Sequence, residues 1–275
     1  MDPDDTQEIM VEEATPDPVV TIDDDGQEYD PYDQSRLKPA PTAGEFDPDD
    51  LTAEQAQQNL TGYYERSVAQ GHADTDAKWY ETMHDKINAR AGREGFDPAV
   101  FTAVVAALSP QLEWDHTYPD GRMVDVNIEA AVAAMRAHRE HPGETHDILL
   151  KAAKEVSNRP LNNSYLHAFD ILDAADERTL TGPKRLDFNA NLYNPRGTRD
   201  IVTVDALMAQ AAYGRKLPGA HPGRTLLTTA LPPGSRKAGG YGWTQRQVHA
   251  LARAVNRTPQ EIQAIVWAQF RRENG

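Results

Sequence analysis

The amino-acid sequence predicts an all-α fold that follows an acidic tail. Two helix-start signatures, Asp97-Pro98 and Thr258-Pro259, place an N-capping residue before a proline that fits the first helical position. Apolar residues recur at helical spacing through most of residues 50–275. No Asn-Gly turn between alternating apolar residues indicates a β-hairpin. We therefore expect about nine or ten helices.

The first 50 residues differ from the rest in charge. They contain 17 acidic and 2 basic residues and few large apolar ones. Such a composition cannot bury enough surface to offset the chain entropy lost on folding. We expect residues 1–45 to be a disordered acidic tail and residues 46–275 to be one helical domain. The tail could dock a basic protein partner, mimic DNA, or only keep the protein soluble.

The helical domain is neutral overall but polarised. Residues 51–275 contain 26 acidic and 26 basic residues, whereas residues 183–275 contain 5 acidic and 14 basic ones. A basic C-terminal third suits a phosphate-bearing partner such as DNA, although charge by itself favours the alternative of a solvated charged surface. The absence of cysteine excludes disulfides and thiolate zinc sites. No apolar run reaches the roughly 18 residues that span a bilayer, and no secretory signal begins the chain. We expect a cytoplasmic protein without membrane contact.

Local patterns place the individual helices. Residues 98–108 are apolar almost all round, which predicts a buried central helix. The triplet Phe-Asp-Pro, at Phe46 and again at Phe96, predicts two helix starts, and capping boxes at Thr244 and Thr258 predict the last two. Residues 215–243 read as a long basic loop, in which Tyr241 and Trp243 are exposed or belong to a linker. Further helices are expected over residues 50–70, 75–92, 124–138, 145–157, 162–175, 184–192 and 206–214.

Asp205 is the residue on which the functional prediction depends. The apolar residues Ile201, Val202 and Val204 lead into it, and a helix-like apolar run follows as far as Gly214. A carboxylate after a buried β-branched run is expected to be partly desolvated, which makes it a better base. The alternative is a helix N-cap, because aspartate is a good capping residue. The local sequence by itself favours the cap.

Two other groups of residues precede Asp205. Ser109, Gln111 and Trp114 follow the buried helix, where an amide and an indole could read or wedge a base, or could form an ordinary helix–loop junction. Basic and amide side chains form the second group, which could contact phosphates or could be a solvated loop. Its members are Lys184, Arg185, Asn189, Asn191, Arg196 and Arg199, and two cations that follow Asp205, Arg215 and Lys216, are expected to add DNA contacts.

We expect no metal ion or other cofactor. His138, His141 and His146 lie near acidic residues, but Pro142-Gly143 separates them and the spacing is not that of a helical metal-binding pair. No phosphate-cradling or dinucleotide-binding glycine motif is present.

The order of these segments resembles the helix-hairpin-helix DNA glycosylase superfamily. Leu108-Ser109-Pro110-Gln111, with Asn127 after it, is similar to the leucine-serine-x-glutamine motif that ends a buried helix there. Ile201-Val202-Thr203-Val204-Asp205 is similar to the later segment that carries the catalytic aspartate. Residues 258–267 are similar to a C-terminal signature of uncharacterised proteins of actinobacterial phages. The resemblance spans residues 95–270.

The resemblance implies a glycosylase-like fold and an enzyme that acts on a DNA base in a phage-infected host cell, by excision or by modification. Asp205 would activate a nucleophile or stabilise an oxocarbenium-like centre. Lys184 stands where bifunctional members carry a nucleophilic lysine. Ser109, Gln111 and Trp114 would line the base pocket, and the basic group would bind DNA.

Three departures from the family pattern leave a second hypothesis open. The segment Thr181-Gly182-Pro183-Lys184 has one glycine where the hairpin usually has Gly-x-Gly, and Pro183 lacks a backbone donor. Ala206 follows Asp205 where many members have threonine or arginine, and no cysteine is present for an iron–sulfur cluster. The alternative is therefore a phage protein, DNA-binding or virion-associated, that keeps the fold without the chemistry.

Overall fold

The structure is a computed structural model of the whole chain. It describes residues 21–22, 28–29, 51–109, 114, 116–117, 123–142, 146–156, 162–218 and 240–274. Gln111, the helix start predicted at Phe46 and most of the predicted tail lie outside the described residues.

The chain forms two compact units, Met1–Asp33 and Gln34–Gly275. In the first, strands β1 (Thr21–Ile22) and β2 (Glu28–Tyr29) pair antiparallel, with Thr21 opposite Tyr29. The acidic composition did not predict this pairing.

Helices dominate the second unit, as the sequence predicted. Its described residues form eleven helices: α1 (Ala53–Ala69), α2 (Ala73–Asp76), α3 (Trp79–Glu94), α4 (Pro98–Leu108), α5 (Val126–Glu140), α6 (His146–Val156), α7 (Asn162–Ala174), α8 (Pro183–Tyr193), α9 (Ala206–Ala212), α10 (Gly240–Val255) and α11 (Pro259–Asn274). A short antiparallel pair, β3 (His116–Thr117) with β4 (Met123–Val124), and a 3₁₀ turn (Glu177–Thr179) complete it. The all-α class is confirmed.

Two predicted helix starts are confirmed in atomic detail. Asp97 Oδ1 accepts hydrogen bonds from the first two free amides of α4, at 2.8 and 3.0 Å, and the ring of Phe96 packs 5.6 Å from that of Phe101. This pair is a hydrophobic staple across the first turn. At α11, Thr258 Oγ1 accepts a hydrogen bond from the Glu261 backbone amide at 3.2 Å. The Glu261 carboxylate in turn accepts one from the Thr258 backbone amide at 2.8 Å. Local chemistry therefore sets both boundaries.

The start of α10 corrects the prediction. The helix begins at Gly240 rather than at Thr244, whose hydroxyl instead donates to the Gly240 carbonyl at 2.9 Å. Tyr241 and Trp243, predicted to be exposed or in a linker, are buried at 4% and 5% exposure. Burying two large aromatic side chains outweighs a capping interaction of about 1 kcal/mol. Burial of these two side chains in the core therefore favours a helix that begins one turn earlier.

Apolar side chains of the second unit form two cores. The first surrounds α4, which is buried along its length as predicted, and takes side chains from α3, α5, α6, α7 and α8. The second takes side chains from α1, α9, α10, α11 and the extended residues 202–204. Trp267 of α11 packs against both cores. Residues 201–205 thus lead into the boundary where the two cores meet.

Long-range contacts tie α1 to the end of the chain. Asn59 Nδ2 donates to the Ala212 carbonyl at the end of α9 at 2.8 Å, beside Gly214 at a φ of +71°. Arg66 Nε forms an ion pair with Glu273 at 2.7 Å. Within the described ranges, no helix combines the length and the apolar character needed to cross a membrane.

Candidate functional site

Asp205 lies where the two cores meet and is partly exposed. Its Oδ1 accepts the backbone amides of Leu207 and Met208, at 2.9 and 2.8 Å, so the N-cap alternative is confirmed. Its Oδ2 accepts the indole N–H of Trp267 at 3.1 Å. The two capping hydrogen bonds occupy only Oδ1, and each carboxylate oxygen has two lone pairs, so Oδ2 takes no part in the cap. One oxygen is therefore structural, and the other faces an aromatic side chain.

A chain of aromatic contacts joins Asp205 to Trp114, which was predicted for the base pocket. The Trp267 and Trp79 ring centroids are 5.7 Å apart, and Trp79 lies edge-to-face with Trp114 at 5.0 Å. Trp114 is only 6% exposed, and its ring lies edge-to-face with that of Phe188, with the ring centroids 5.5 Å apart. Trp79 and Trp267 are partly exposed. We name Trp79, Tyr80, Trp114, Phe188 and Trp267 the aromatic cluster; its two partly exposed members, Trp79 and Trp267, present aromatic surface next to a carboxylate.

The extended residues 201–204, which we name the lead-in segment, obtain hydrogen bonds from side chains. On one side, Gln245 Nε2 donates to the Val202 carbonyl at 2.8 Å, and the Val204 amide donates to the Tyr241 hydroxyl at 3.3 Å. On the other side, Asn191 Nδ2 donates to the Ile201 carbonyl at 3.3 Å. Buried backbone groups need such partners, and no strand in the described part of the chain pairs with this segment. Helices α8 and α10 therefore hold the residues that lead into Asp205.

Asp187 of α8 is a buried carboxyl group that the sequence reasoning missed. It is 7% exposed and accepts the Tyr241 hydroxyl at 2.6 Å and Gln245 Nε2 at 3.0 Å, both on Oδ2. Burial raises the pKa of Asp187 to about 7, although these two hydrogen bonds oppose the rise. Burial, followed by the nearby Asp187 charge, raises the pKa of Tyr241 well above its ordinary value. One signal was available, since Asp187 and Asn191 lie one turn apart in a helix with a buried face.

Polar contacts continue around Asn191. Its Oδ1 accepts the Thr198 hydroxyl at 3.0 Å and Gln260 Nε2 at 2.9 Å. The backbone N–H of Gln260 in turn donates to the Arg199 carbonyl at 3.0 Å. Asn191 therefore joins α8, the turn before the lead-in segment and the first turn of α11.

The predicted hairpin before α8 has one glycine in the left-handed region. Gly182 has a φ of +91°, and Pro183 is the first residue of α8, as Pro suits that position. Arg185 Nε donates to the Thr181 carbonyl at 2.7 Å, and burial lowers the pKa of Arg185. Lys184 is partly exposed, and within the described residues no hydrogen bond or ion pair joins it to Asp205. Arg185 is thus engaged with the hairpin backbone.

The other predicted cations lie on the surface. Arg196 is exposed, with its Nε 4.0 Å from Glu81 Oε1. Lys216 Nζ donates to the Asn274 carbonyl at 2.9 Å, and the side chains of Arg199 and Arg215 are exposed. They remain available to a phosphate-bearing partner.

Two of the remaining predicted residues face inward. Asn189, predicted to bind DNA, is 6% exposed, and its Oδ1 has no hydrogen-bond partner in the described part of the chain. Its side chain therefore does not reach the surface where a phosphate would bind. Ser109 caps the end of α4 by donating to the Ala106 carbonyl at 3.0 Å. Among the described side chains, no group of three or more His, Asp or Glu residues converges as a metal site requires.

Comparison with known proteins gives one match. The pattern of a family of unknown function, DUF7178, matches residues 45–274, which is most of the chain. The chain belongs to the DUF7178 family. Neither a curated protein nor a solved structure gives a significant match. In this chain, the described geometry places a partly exposed carboxylate against an aromatic cluster where the two cores meet.

Proposed function

We propose that the protein is an enzyme that acts on a DNA base, with Asp205 and the aromatic cluster as its site. The observation that supports this is the chain of contacts from Trp114 through Trp79 and Trp267 to the Asp205 carboxylate. The order of the two motifs, which resembles helix-hairpin-helix DNA glycosylases, supports the same class. Excision of the base and its modification both remain within the proposal.

The chemistry of such a site follows from its parts. A base inside a duplex cannot be reached, so it must leave the stack and be held elsewhere. Aromatic side chains hold an unstacked base by contributing about 1–3 kcal/mol of stacking per base. The Asp205 carboxylate, oriented by two backbone amides, would stabilise positive charge developing on the sugar or activate a nucleophile.

Contact with the DNA backbone would come from exposed cations. Arg196, Arg199, Arg215 and Lys216 lie in the part of the chain that carries an excess of basic residues. Phosphate contacts supply affinity without reading sequence, and this affinity falls as salt rises. In this proposal the protein works on DNA in a phage-infected host cell.

Nucleoside mass spectrometry tests the proposal directly. Phage and host DNA are incubated with the wild type and with Asp205→Asn, and the digested nucleosides and released bases are measured. We expect the wild type to release or alter one base, and Asp205→Asn to lose that activity at least about a hundredfold. Asparagine still caps a helix through its one oxygen, but its NH2 group cannot accept the Trp267 indole N–H, so the melting temperature should fall only by the effect of one lost, partly exposed hydrogen bond.

Asp97→Asn is the matched control. Asp97 caps α4 with the same pair of hydrogen bonds as Asp205 makes on α9, but no indole is bonded to it in the described structure. This variant should keep full activity. Activity that survives in Asp205→Asn would reduce Asp205 to a cap and overturn the proposed mechanism.

A non-catalytic DNA-binding or virion-associated phage protein is the second candidate. The observation in its favour is that both Asp205 oxygens already accept protein hydrogen bonds, from two amides and from an indole. Salt-dependent DNA binding without any change in the nucleosides, equal in wild type and Asp205→Asn, would support this candidate over the enzyme.

A further inference from the structure

The lead-in segment is held at two points by one face of α10. Tyr241 and Gln245 lie one helical turn apart, so their side chains project from the same face. Gln245 bonds the carbonyl of Val202, and Tyr241 bonds the amide of Val204. In an extended chain these two backbone groups point to the same side. The two side chains thus occupy the place of a neighbouring β-strand.

Asp187 is the group that Tyr241 and Gln245 share. Both donate to its Oδ2, at 2.6 and 3.0 Å, while they also hold the lead-in segment. The Tyr241 hydroxyl has one proton, which it gives to Asp187, so its oxygen is left to accept the Val204 amide. Val204 is the residue before Asp205. A continuous path of hydrogen bonds therefore runs from the Asp187 carboxyl group to the backbone amide of the residue that precedes Asp205.

We propose that Asp187, Tyr241 and Gln245 are positioning residues that hold the lead-in segment, and with it the Asp205 carboxylate, in a way that depends on the proton of Asp187. The hold on the segment is a property of the fold, whereas its consequence for catalysis rests on the proposed function of Asp205.

The proton dependence has a definite direction. The buried Asp187 binds its proton more tightly than it would in water, since burial raises its pKa from 3.8 to about 7. Any opening that lets water reach Asp187 restores the ordinary pKa, so a rise in pH favours the open state. Protonated Asp187 still accepts both hydrogen bonds through its carbonyl oxygen. The hold is therefore tightest below about pH 4 and weakens as the pH rises to about 7.

Among the described residues, the neighbouring titratable groups do not alter this pH dependence. Burial raises the pKa values of Tyr241 on α10 and Tyr80 on α3, so both stay neutral in this range. Helix α4, which packs on α8, has no titratable side chain. His249, also on α10, interacts with Asp200 and Arg253. The remaining ionisable contact of α8 from α3 is His84, whose Nδ1 lies 2.9 Å from the Leu192 carbonyl at the other end of the helix.

Residue-resolved amide hydrogen exchange by NMR on the full chain tests the hold without DNA. The quantity is the protection factor of the Val204 amide, corrected for intrinsic exchange, from pH 5 to pH 8. In the wild type it should fall about tenfold per pH unit up to about pH 7 and then level off. Tyr241→Phe should lower it about tenfold at pH 5, the usual effect of one lost buried hydrogen bond. Asp187→Asn should keep it independent of pH.

Tyr165→Phe is the matched control for Tyr241→Phe. Tyr165 is also fully buried, but its hydroxyl has no hydrogen-bond partner among the described residues, so its removal costs no hydrogen bond. Protection of Val204 should stay at the wild-type value. The proposal is overturned if Tyr241→Phe leaves Val204 protection unchanged, or if Asp187→Asn keeps the wild-type pH dependence.

Activity measurements separate this proposal from the proposed function. If the wild type acts on DNA, its kcat should decline on the alkaline side with a pKa of about 7, and Asp187→Asn should remove that decline. Tyr241→Phe should lower kcat more than it changes KM. If no activity on DNA is found while the exchange results are as expected, the hold is established and the proposed function fails. If activity is found with an unchanged profile in Asp187→Asn, the positioning role fails instead.

Discussion

A buried acid that has no ion-pair partner lowers the stability of the fold when it ionises, and Asp187 has no such partner among the described residues. In the unfolded chain its pKa returns to about 3.8, whereas burial raises it to about 7 in the folded protein. Between these values the folded state binds more protons than the unfolded state. The contribution of this residue to the free energy of unfolding therefore falls as pH rises from 4 to 7.

Urea denaturation at pH 5 and pH 8 measures this contribution. Replacing Asp187 by asparagine removes the titration and keeps an acceptor oxygen for Tyr241. The loss of stability of the wild type between these two pH values should exceed that of Asp187→Asn by about 3 kcal/mol. Equal pH dependence in the two proteins would mean that the folded-state pKa of Asp187 is close to its ordinary value.

At this scale the sequence predicted the exposed side of the site better than its interior. Asp205 and Trp114 could be chosen because each follows a recognisable apolar run. The helical spacing of Asp187 and Asn191 indicates a polar pair, but it does not single out Asp187 or Tyr241, because each is defined by a partner 54 residues away along the chain. A single polar residue in a helix usually faces water, so only tertiary contacts distinguish it. The same reasoning led to Asn189 being predicted at the surface.

Among the elements, α9 depends on a glycine that follows its end. Gly214 has a φ of +71°, and a Cβ built there would lie 2.6 Å from Asn59 Oδ1. The Asn59 side chain is the group that caps α9 by bonding the Ala212 carbonyl. Gly214→Ala should therefore cost the left-handed strain of about 1–2 kcal/mol and also most of this capping hydrogen bond, about another 1 kcal/mol.

Gly71→Ala provides the comparison for that variant. Gly71 has a similar φ of +74°, and a Cβ there would meet nothing within 4 Å. Gly71→Ala should therefore lose stability only through the left-handed strain. Thermal or urea denaturation of both variants isolates the contact with Asn59 as their difference, and equal losses would show that Asn59 moves aside without cost.

Element boundaries were predictable where local chemistry decides them. Asp97 and the Thr258 capping box start α4 and α11 as expected, because the capping partners lie within three residues. The predicted helix over residues 75–92 is instead divided into α2 and α3 by a turn at Ala77 and Lys78. The start of α10 was wrong because burial of Tyr241 and Trp243 is decided by the second core. Periodicity within a segment does not contain that information.

For the whole molecule, the separation of charge along the chain gives a further prediction. Residues 1–50 have a net charge of −15, and residues 183–275 have an excess of nine basic residues. An acidic segment on the same chain competes with DNA phosphates for exposed cations. If the proposed DNA contact exists, deletion of residues 1–45 should tighten DNA binding severalfold at low salt, with a smaller effect at high salt.

Fluorescence anisotropy with labelled duplex DNA over a salt series measures this effect. The truncated chain with an added tail peptide in trans is the control, since competition should then be weak at micromolar concentration. Unchanged affinity after the deletion would assign the acidic residues another role, such as binding a basic protein partner.

The bond between Arg66 and Glu273 has a consequence for how the protein is made. The two residues are 207 positions apart, and α1 packs on α9, α10 and α11. At synthesis rates of roughly 5–20 residues per second, α1 leaves the ribosome on the order of 10–40 seconds before its last partner. During that interval its apolar face, including Leu60 and Tyr63, is uncovered. Of the described helices, α1 is thus made first and is among the last to complete its packing.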